Sequence, residues 1–482
     1  MGSSTKIARD KTAVVVGAGP NGLSAACILA RAGMRVTVLE QHSSPGGGAR
    51  TAELIEPGVL HDVCATSLPL AISSPCFQEL DLEPSGVRWV HPRYPMAHPF
   101  PDGTAASLSR DIGETAESFG DARDAKIYSR LMTPLVQRWP DLIGQILSPL
   151  RIPRHPFLLA RFGLSAIRSG LGLASMFRGE RARGFMAGLA AHSGLPLDQS
   201  PGAAFALVLA AAGHAAGWPF VAGGTQRLVE ALAVRLTESG GRITTGRAVA
   251  NTGDLPPADL YLFDVTPRQL VQIAGDWLPQ SYRRRLARYR YGPGVFKMDW
   301  VLSGPVPWSA EECRKAGVIH LGGNFEEIQE SERAPHEGKI TDHTFLLLAQ
   351  PSLFDPSRAP TGRHVLWGYC HVPNGSAQNV RTRIERQIER FAPDFGQLVV
   401  GRISMNCQHL EQYNPNLVGG DIGAGLYNLA QVFTRPVAKP IPWATPNPRV
   451  FICSASTPPG GGVHGMCGYN SAYAAIHMLK RR

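Results

Sequence analysis

The first regular pattern in the chain is a short run of β-branched residues, Val14, Val15 and Val16, that stops at glycines and gives way to an Ala/Leu-rich repeat from Leu23. The run predicts a buried strand and the repeat predicts a helix. MRVTVLE, residues 34–40, then predicts a second strand parallel to the first, ending in an acid. Residues from about Leu70 to Gly213 read as mostly helical. AAFALVLAAAGHAAGWPFVA, residues 203–222, has membrane-span length, but His214, Gly213, Gly217 and Pro219 make a buried Ala-rich helix followed by a strand the better reading. VFKMDWVL, residues 295–302, alternates as a strand and places Lys297 and Asp299 on one face. Near the C-terminus Phe451 and Ile452 end a strand, and a helix begins near Gly468.

Composition narrows the class. A chain of 482 residues exceeds one ordinary core, so two domains are expected. The net charge of +10 favours anionic surfaces, but the arginines are dispersed and no polybasic tract appears, which argues against nucleic acid as a partner. Eight cysteines without a CxxC pair or metal-ligand spacing read as buried free thiols of a reducing compartment, with no metal site. The first residues lack the apolar core of a signal peptide, so a cytoplasmic location is expected. Arginines 151, 154, 161, 168, 178, 181 and 183 recur beside Phe157, Leu158, Leu159, Phe162, Leu164, Ile167, Leu171, Met176 and Phe177. Such a stretch is a solvated helix face or a peripheral contact with an anionic membrane.

The glycines carry the chemistry. Gly17 permits a tight turn, Gly19 lets backbone N–H groups approach a pyrophosphate, and Gly22 lets helix and strand pack closely, with Pro20 and Asn21 between them. Glu40 stands where a carboxylate accepts from adenosine ribose hydroxyls. Gly46, Gly47 and Gly48, followed by Ala49, Arg50 and Thr51, form a second phosphate-type turn with a cation and a hydroxyl for phosphate oxygens. Gly460, Gly461 and Gly462 bare the backbone just before the last helix, whose N-terminus favours negative charge.

In this order GAGPNG, Glu40 and GGGART resemble the FAD-binding signature of the flavin amine oxidase superfamily. Three segments extend the likeness: residues 218–250 around GGTQRL, residues 292–308 (GPGVFKMDWVLSGPVPW), and PGGGVHG near the C-terminus. The last is most similar to the closing motif of phytoene desaturase-like and carotenoid isomerase-like proteins. The resemblance implies an α/β fold with a discontinuous Rossmann-like FAD-binding domain and a substrate domain of antiparallel sheet plus helices. Residues 1–70, 215–272 and 443–482 would form the first, and 71–214 and 273–442 the second. It implies FAD held by Gly17, Gly19, Pro20, Asn21, Gly22, Glu40, Gln41, Gly47, Gly48, Ala49, Arg50, Gly462, Val463 and His464. A strand running to Val249 would bring backbone against the adenine.

The activity so implied is that of an FAD-dependent oxidoreductase acting by hydride transfer to flavin N5 on a hydrophobic, carotenoid- or polyene-like small molecule. Lys297 and His464 are the catalytic candidates, and His214, His61 and Asp62 are weaker ones. Tyr427, Gln431 and Arg435 are read as cavity-lining on helical spacing. The chain departs from the pattern at Cys453, Ser454, Ala455 and Ser456, where many relatives carry an acid on the ribitol; that contact falls to Ser454 or backbone. Without a second GxGxxG, reoxidation by oxygen, a quinone or another small acceptor is expected. Cys453 and Cys467 read as buried fillers rather than covalent flavin attachments. A flavin amine oxidase is the alternative, needing an aromatic cage drawn from Trp218, Trp300, Trp308, Tyr413, Tyr427 and Tyr469. The alternative from another class is a non-catalytic lipid-binding protein on the same fold.

Overall fold

A computed structural model describes residues 10–149 and 153–481. Arg151 and the extreme N-terminus therefore lie outside the described residues. In chain order the strands of the two large sheets are β1 (Thr12–Val16), β2 (Arg35–Leu39), β3 (Tyr94–Pro99), β4 (Ala105–Leu108), β5 (Arg242–Thr244) and β6 (Leu260–Phe263). They continue as β7 (Gly294–Leu302), β8 (Ala316–Leu321), β9 (Leu346–Ala349), β10 (His364–Val372), β11 (Val399–Met405) and β12 (Val450–Ile452). The first sheet runs β12-β6-β1-β2-β5 and its pairs are all parallel. A Rossmann-like layer is thus assembled from three distant stretches of chain.

Its helix α1 (Pro20–Arg31) starts with proline at the position where a missing N–H costs nothing. The C-terminal helix α2 (Met466–Leu479) packs directly on α1. Glycine makes that contact possible: a Cβ on Gly468 would stand 1.8 Å from the Asn21 carbonyl oxygen, and one on Gly22 would stand 2.1 Å from the Gly17 oxygen. Both neighbours are backbone and cannot rotate away. Gly468→Ala is expected to destabilise the fold by about 3 kcal/mol, the upper end of overpacking costs, read as a lower urea midpoint; an unchanged midpoint would mean the helices separate freely.

The second sheet runs β11-β7-β10-β9-β8-β3-β4, antiparallel except between β8 and β3. β3 and β4 fall within the stretch whose pattern predicts helices. Their apolar residues lack a helical repeat because both faces of this part of the sheet are covered. Most of the remaining stretch is helical, and residues 202–215 form the expected Ala-rich helix before a short strand at Phe220–Val221. No helix among the described residues is long and apolar enough to cross a membrane.

β7 positions the chemistry. All nine of its residues are buried. Phe296, Met298, Trp300 and Leu302 enter the apolar cluster behind the sheet. Strand alternation sends Val295, Lys297, Asp299 and Val301 to the opposite face, toward the first glycine segments.

Candidate dinucleotide and substrate site

The two N-terminal glycine turns meet edge to edge: a Cβ on Gly47 would lie 3.1 Å from Gly19 Cα. Gly17, Pro20, Gly47 and Gly48 keep accessible surface, while Gly19, Asn21, Gly22 and Ala49 are buried beneath them and Gln41 is exposed. Glu40 closes the end of β2, and its carboxylate accepts the Ala18 N–H (2.8 Å) and the His42 N–H (2.9 Å). A side-chain-free groove over a helix N-terminus, with a buried carboxylate at the strand end, fits a dinucleotide.

Arg50 and Thr51 stand differently from the sequence expectation. The Arg50 guanidinium pairs with Glu40 (3.2 Å), donates to the Ser44 and Gly47 carbonyls, and lies over the Tyr413 ring. The Thr51 hydroxyl donates to Asp62 (2.7 Å). Both brace the turn from beneath, since a buried arginine beside a buried carboxylate pairs with it first. The strand expected to run to Val249 is shorter: β5 ends at Thr244, and Val249 follows in coil against the cluster that includes Val14. Between them the Arg247 N–H donates to the Glu40 carbonyl (2.8 Å), which holds this coil beside the end of β2.

A further buried carboxylate at the start of α1 has no sequence expectation. Asp264, at the end of β6, is 8% exposed and accepts the Gly22 N–H at 2.9 Å. Burial pushes its pKa up to about 7, and the charge of Glu40 adds to the rise. A carboxyl raised on folding lowers stability as pH climbs from the ordinary value near 3.8 to about 7, and its effect is constant above that. Asp264→Asn is expected to flatten the pH 4–7 slope of thermal stability and to raise the melting temperature at pH 8. An equal slope in both proteins would contradict the assignment.

At the C-terminal loop Gly462 is exposed and Gly461 and Val463 are half-exposed, so the bared backbone borders open space. His464 is buried; its Nδ1 accepts the Met466 N–H (3.1 Å) at the start of α2, and its carbonyl accepts from Ser74. Burial pushes its pKa down to about 4, so it is neutral at pH 7 and caps the helix. Ser454 is turned inward and donates to the Val265 carbonyl (2.7 Å). Burial raises the thiols of Cys453 and Cys467, the latter to about 12, which keeps both protonated and unreactive.

Lys297 and Asp299 form a buried ion pair, 2% and 1% exposed. His61 Nδ1 lies 3.6 Å from Asp299 Oδ1, and both His61 nitrogens and that oxygen lack a hydrogen-bond partner. Cross-strand register sets Lys297 opposite Tyr369 and Asp299 opposite Trp367 on β10. The Lys297 ammonium sits 5.8 Å from the Trp367 ring centroid. Cys64 lies between this cluster and the second glycine turn: it packs, as Tyr369 does, against the group that includes Val295, and a Cβ on Gly48 would stand 3.9 Å from its own.

Trp367 and Tyr369 lie on a central strand and keep accessible surface. Neither was singled out from sequence; the signal was there in the i, i+2 aromatics of LWGYC. The proposed cage members are dispersed. Trp300 and Trp308 are in the core behind the sheet, Tyr469 packs on Tyr473, and Trp218 meets His192 edge-on. Tyr427 packs on Phe205, and neither it nor Arg435 belongs to the short helix Leu429–Thr434 that carries Gln431. Gln431 is occupied by Arg290 and Leu426 backbone. His214 is bonded to Tyr128 and serves the helical core.

Residues 15–80 match the family model of an NAD(P)-binding Rossmann-like domain. The chain is 26% identical to rat pyridine nucleotide-disulfide oxidoreductase domain-containing protein 2, over 97% of this chain and 94% of that one. It is 28% identical to the phytoene dehydrogenase of Streptomyces griseus, over 75% and 73% of the two chains. Cyclohexylamine oxidase from Brevibacterium oxydans shares the fold, with a TM-score of 0.60 at 15% identity over 98% of this chain and 100% of that one. A Rossmann layer built from three stretches and paired glycine turns thus accompany chain-long similarity to an oxidoreductase domain-containing protein, similarity over three quarters of the chain to a phytoene dehydrogenase, and the fold of an amine oxidase.

Proposed function

We propose that this protein is an FAD-dependent oxidoreductase that removes or relocates hydrogen on a hydrophobic, unsaturated small molecule. The observation that carries the reading is the buried Lys297, Asp299 and His61 cluster, set between the second glycine turn and the aromatic wall of Trp367 and Tyr369. Bound flavin would supply the hydride acceptor. Gly17, Gly19, Asn21 and Gly47 would hold its phosphates, Glu40 its ribose, and the Gly461–Val463 backbone its ring. Lys297 and Asp299, held together as a buried ion pair with His61 beside them, would be the groups that hold and move a proton in a site closed to water.

Apolar walls favour a hydrophobic substrate: Phe205 and Val208 keep accessible surface on the Ala-rich helix. Trp367 and Tyr369 cross at 84°, edge to face, and the face of Trp367 is taken by the Lys297 ammonium. This arrangement disfavours a cationic amine, which needs a free, parallel cage. On the outer surface Phe157, Leu164 and Ile167, 91%, 75% and 55% exposed, lie among exposed Arg154, Arg161 and Arg168. The patch supports peripheral contact with an anionic membrane. Flotation with anionic liposomes at low salt tests that contact, and absence of binding removes it. The activity is tested by anaerobic mixing of the holoprotein with polyenes, cyclic terpenes and amines. Bleaching of the flavin by a polyene or terpene supports the reading, and bleaching by amines alone overturns it.

A further inference from the structure

Arg435 is 1% exposed, and no carboxylate among the described residues comes within salt-bridge distance of it. Only Nη2 is used, donating to the Tyr289 hydroxyl (3.2 Å) and the Gly425 carbonyl (3.1 Å). Nε and Nη1 have no partner. The guanidinium is stacked 4.5 Å from the Tyr427 ring centroid, and Nη1 points at the glycine loop: a Cβ on Gly460 would stand 2.5 Å from it. The same Tyr427 accepts the Gly461 N–H through its hydroxyl, so cation, ring and loop are one packed unit.

A fully buried guanidinium stays charged, and leaving it unpaired is costly. The neighbouring acid does not discharge it. Asp421 is occupied by the N–H groups of Gly292, Gly423 and Gly425, and burial shifts its pKa upward against the pull of these amides and of Arg435. The Tyr289 phenol is pushed up by burial and remains neutral. A net positive charge therefore faces the Gly460–Val463 loop, whose far side is open at Gly462.

We infer that Arg435 is the electrostatic partner of a delocalised negative charge on a ring bound at this loop, namely the pyrimidine edge of the flavin when its N5 has accepted a nucleophile or hydride. The inference rests on the flavin reading above. Arg435 would act through the loop as a positioning and charge-stabilising residue, raising affinity for the anionic ring without touching substrate.

Sulfite tests it, because its sulfur bonds to N5 and the displaced electron pair comes to rest on the N1–C2=O edge. Holoprotein is titrated with sulfite and followed by loss of the flavin absorbance, in wild type, Arg435→Lys and Arg435→Gln. Arg435→Gln is expected to weaken sulfite binding by roughly tenfold or more, the scale of one charge-assisted interaction, while Arg435→Lys stays close to wild type at equal flavin content. Unchanged sulfite affinity in Arg435→Gln overturns the inference. If Arg435→Gln does not fold, the reduced wild-type protein decides: its spectrum should remain that of the anionic ring from pH 8 to pH 5, and conversion to the neutral ring in that interval overturns the inference. A wild type without flavin is a separate failure, that of the flavin reading itself, and is seen before sulfite is added.

Discussion

Arg358→Met is expected to destabilise the protein by about 3–5 kcal/mol, the cost of stranding buried charge. Arg358 is wholly buried and bridges Asp62 (2.9 Å) and Asp355 (3.0 Å), and it also donates to the Val221 carbonyl (3.2 Å). Asp62 in turn accepts from the hydroxyls of Thr51, Thr66 and Thr225 and from the Thr225 N–H. Asp355 accepts the Gly223 N–H. One cation thus ties together the strand after the second glycine turn, the turn before helix Gln226–Glu238, and the segment before β10. Burial alone would raise the Asp62 carboxyl, but Arg358 and these donors hold it below the usual range. A depressed carboxyl contributes stability that is complete above the unfolded value near 3.8 and is lost as pH falls through the folded one. The variant should therefore lose both stability at neutral pH and this part of the acid transition. A urea midpoint equal to wild type would show that the bridge contributes nothing.

Lys297→Met is expected to retain bound flavin and to lose turnover by roughly tenfold or more, the scale of a proton-handling group. The substitution also leaves Asp299 buried without its cation, so some loss of stability is expected in the single variant. Lys297→Met combined with Asp299→Asn removes both charges and separates the effects: stability should recover while turnover stays low. Full turnover in the double variant would make the pair a structural ion pair.

What could be read from the sequence was local. Val14 to Gly22 determine a strand, a turn and a helix through contacts within a few residues, and α1 extends from Pro20, three residues before the apolar repeat. The β7 alternation placed Lys297 and Asp299 on one face for the same reason. Features set by distant chain were not legible. Trp367 reaches Asp299 through antiparallel register, and β3 pairs with β8 more than two hundred residues away, so neither follows from local pattern. Arg50 read as a phosphate ligand because its pairing with Glu40 depends on how the turn folds back beneath β2. Tyr427 and Arg435 share a helical spacing but no helix; the glycine loop at Gly460 and Gly461 brings them together.

The measurement that tests the account most directly is the visible absorption spectrum of the purified protein before and after acid precipitation, with the released chromophore identified by mass. FAD in the supernatant is the predicted result. A colourless protein that takes up no FAD on reconstitution would contradict the account and leave the fold as a lipid-binding cavity.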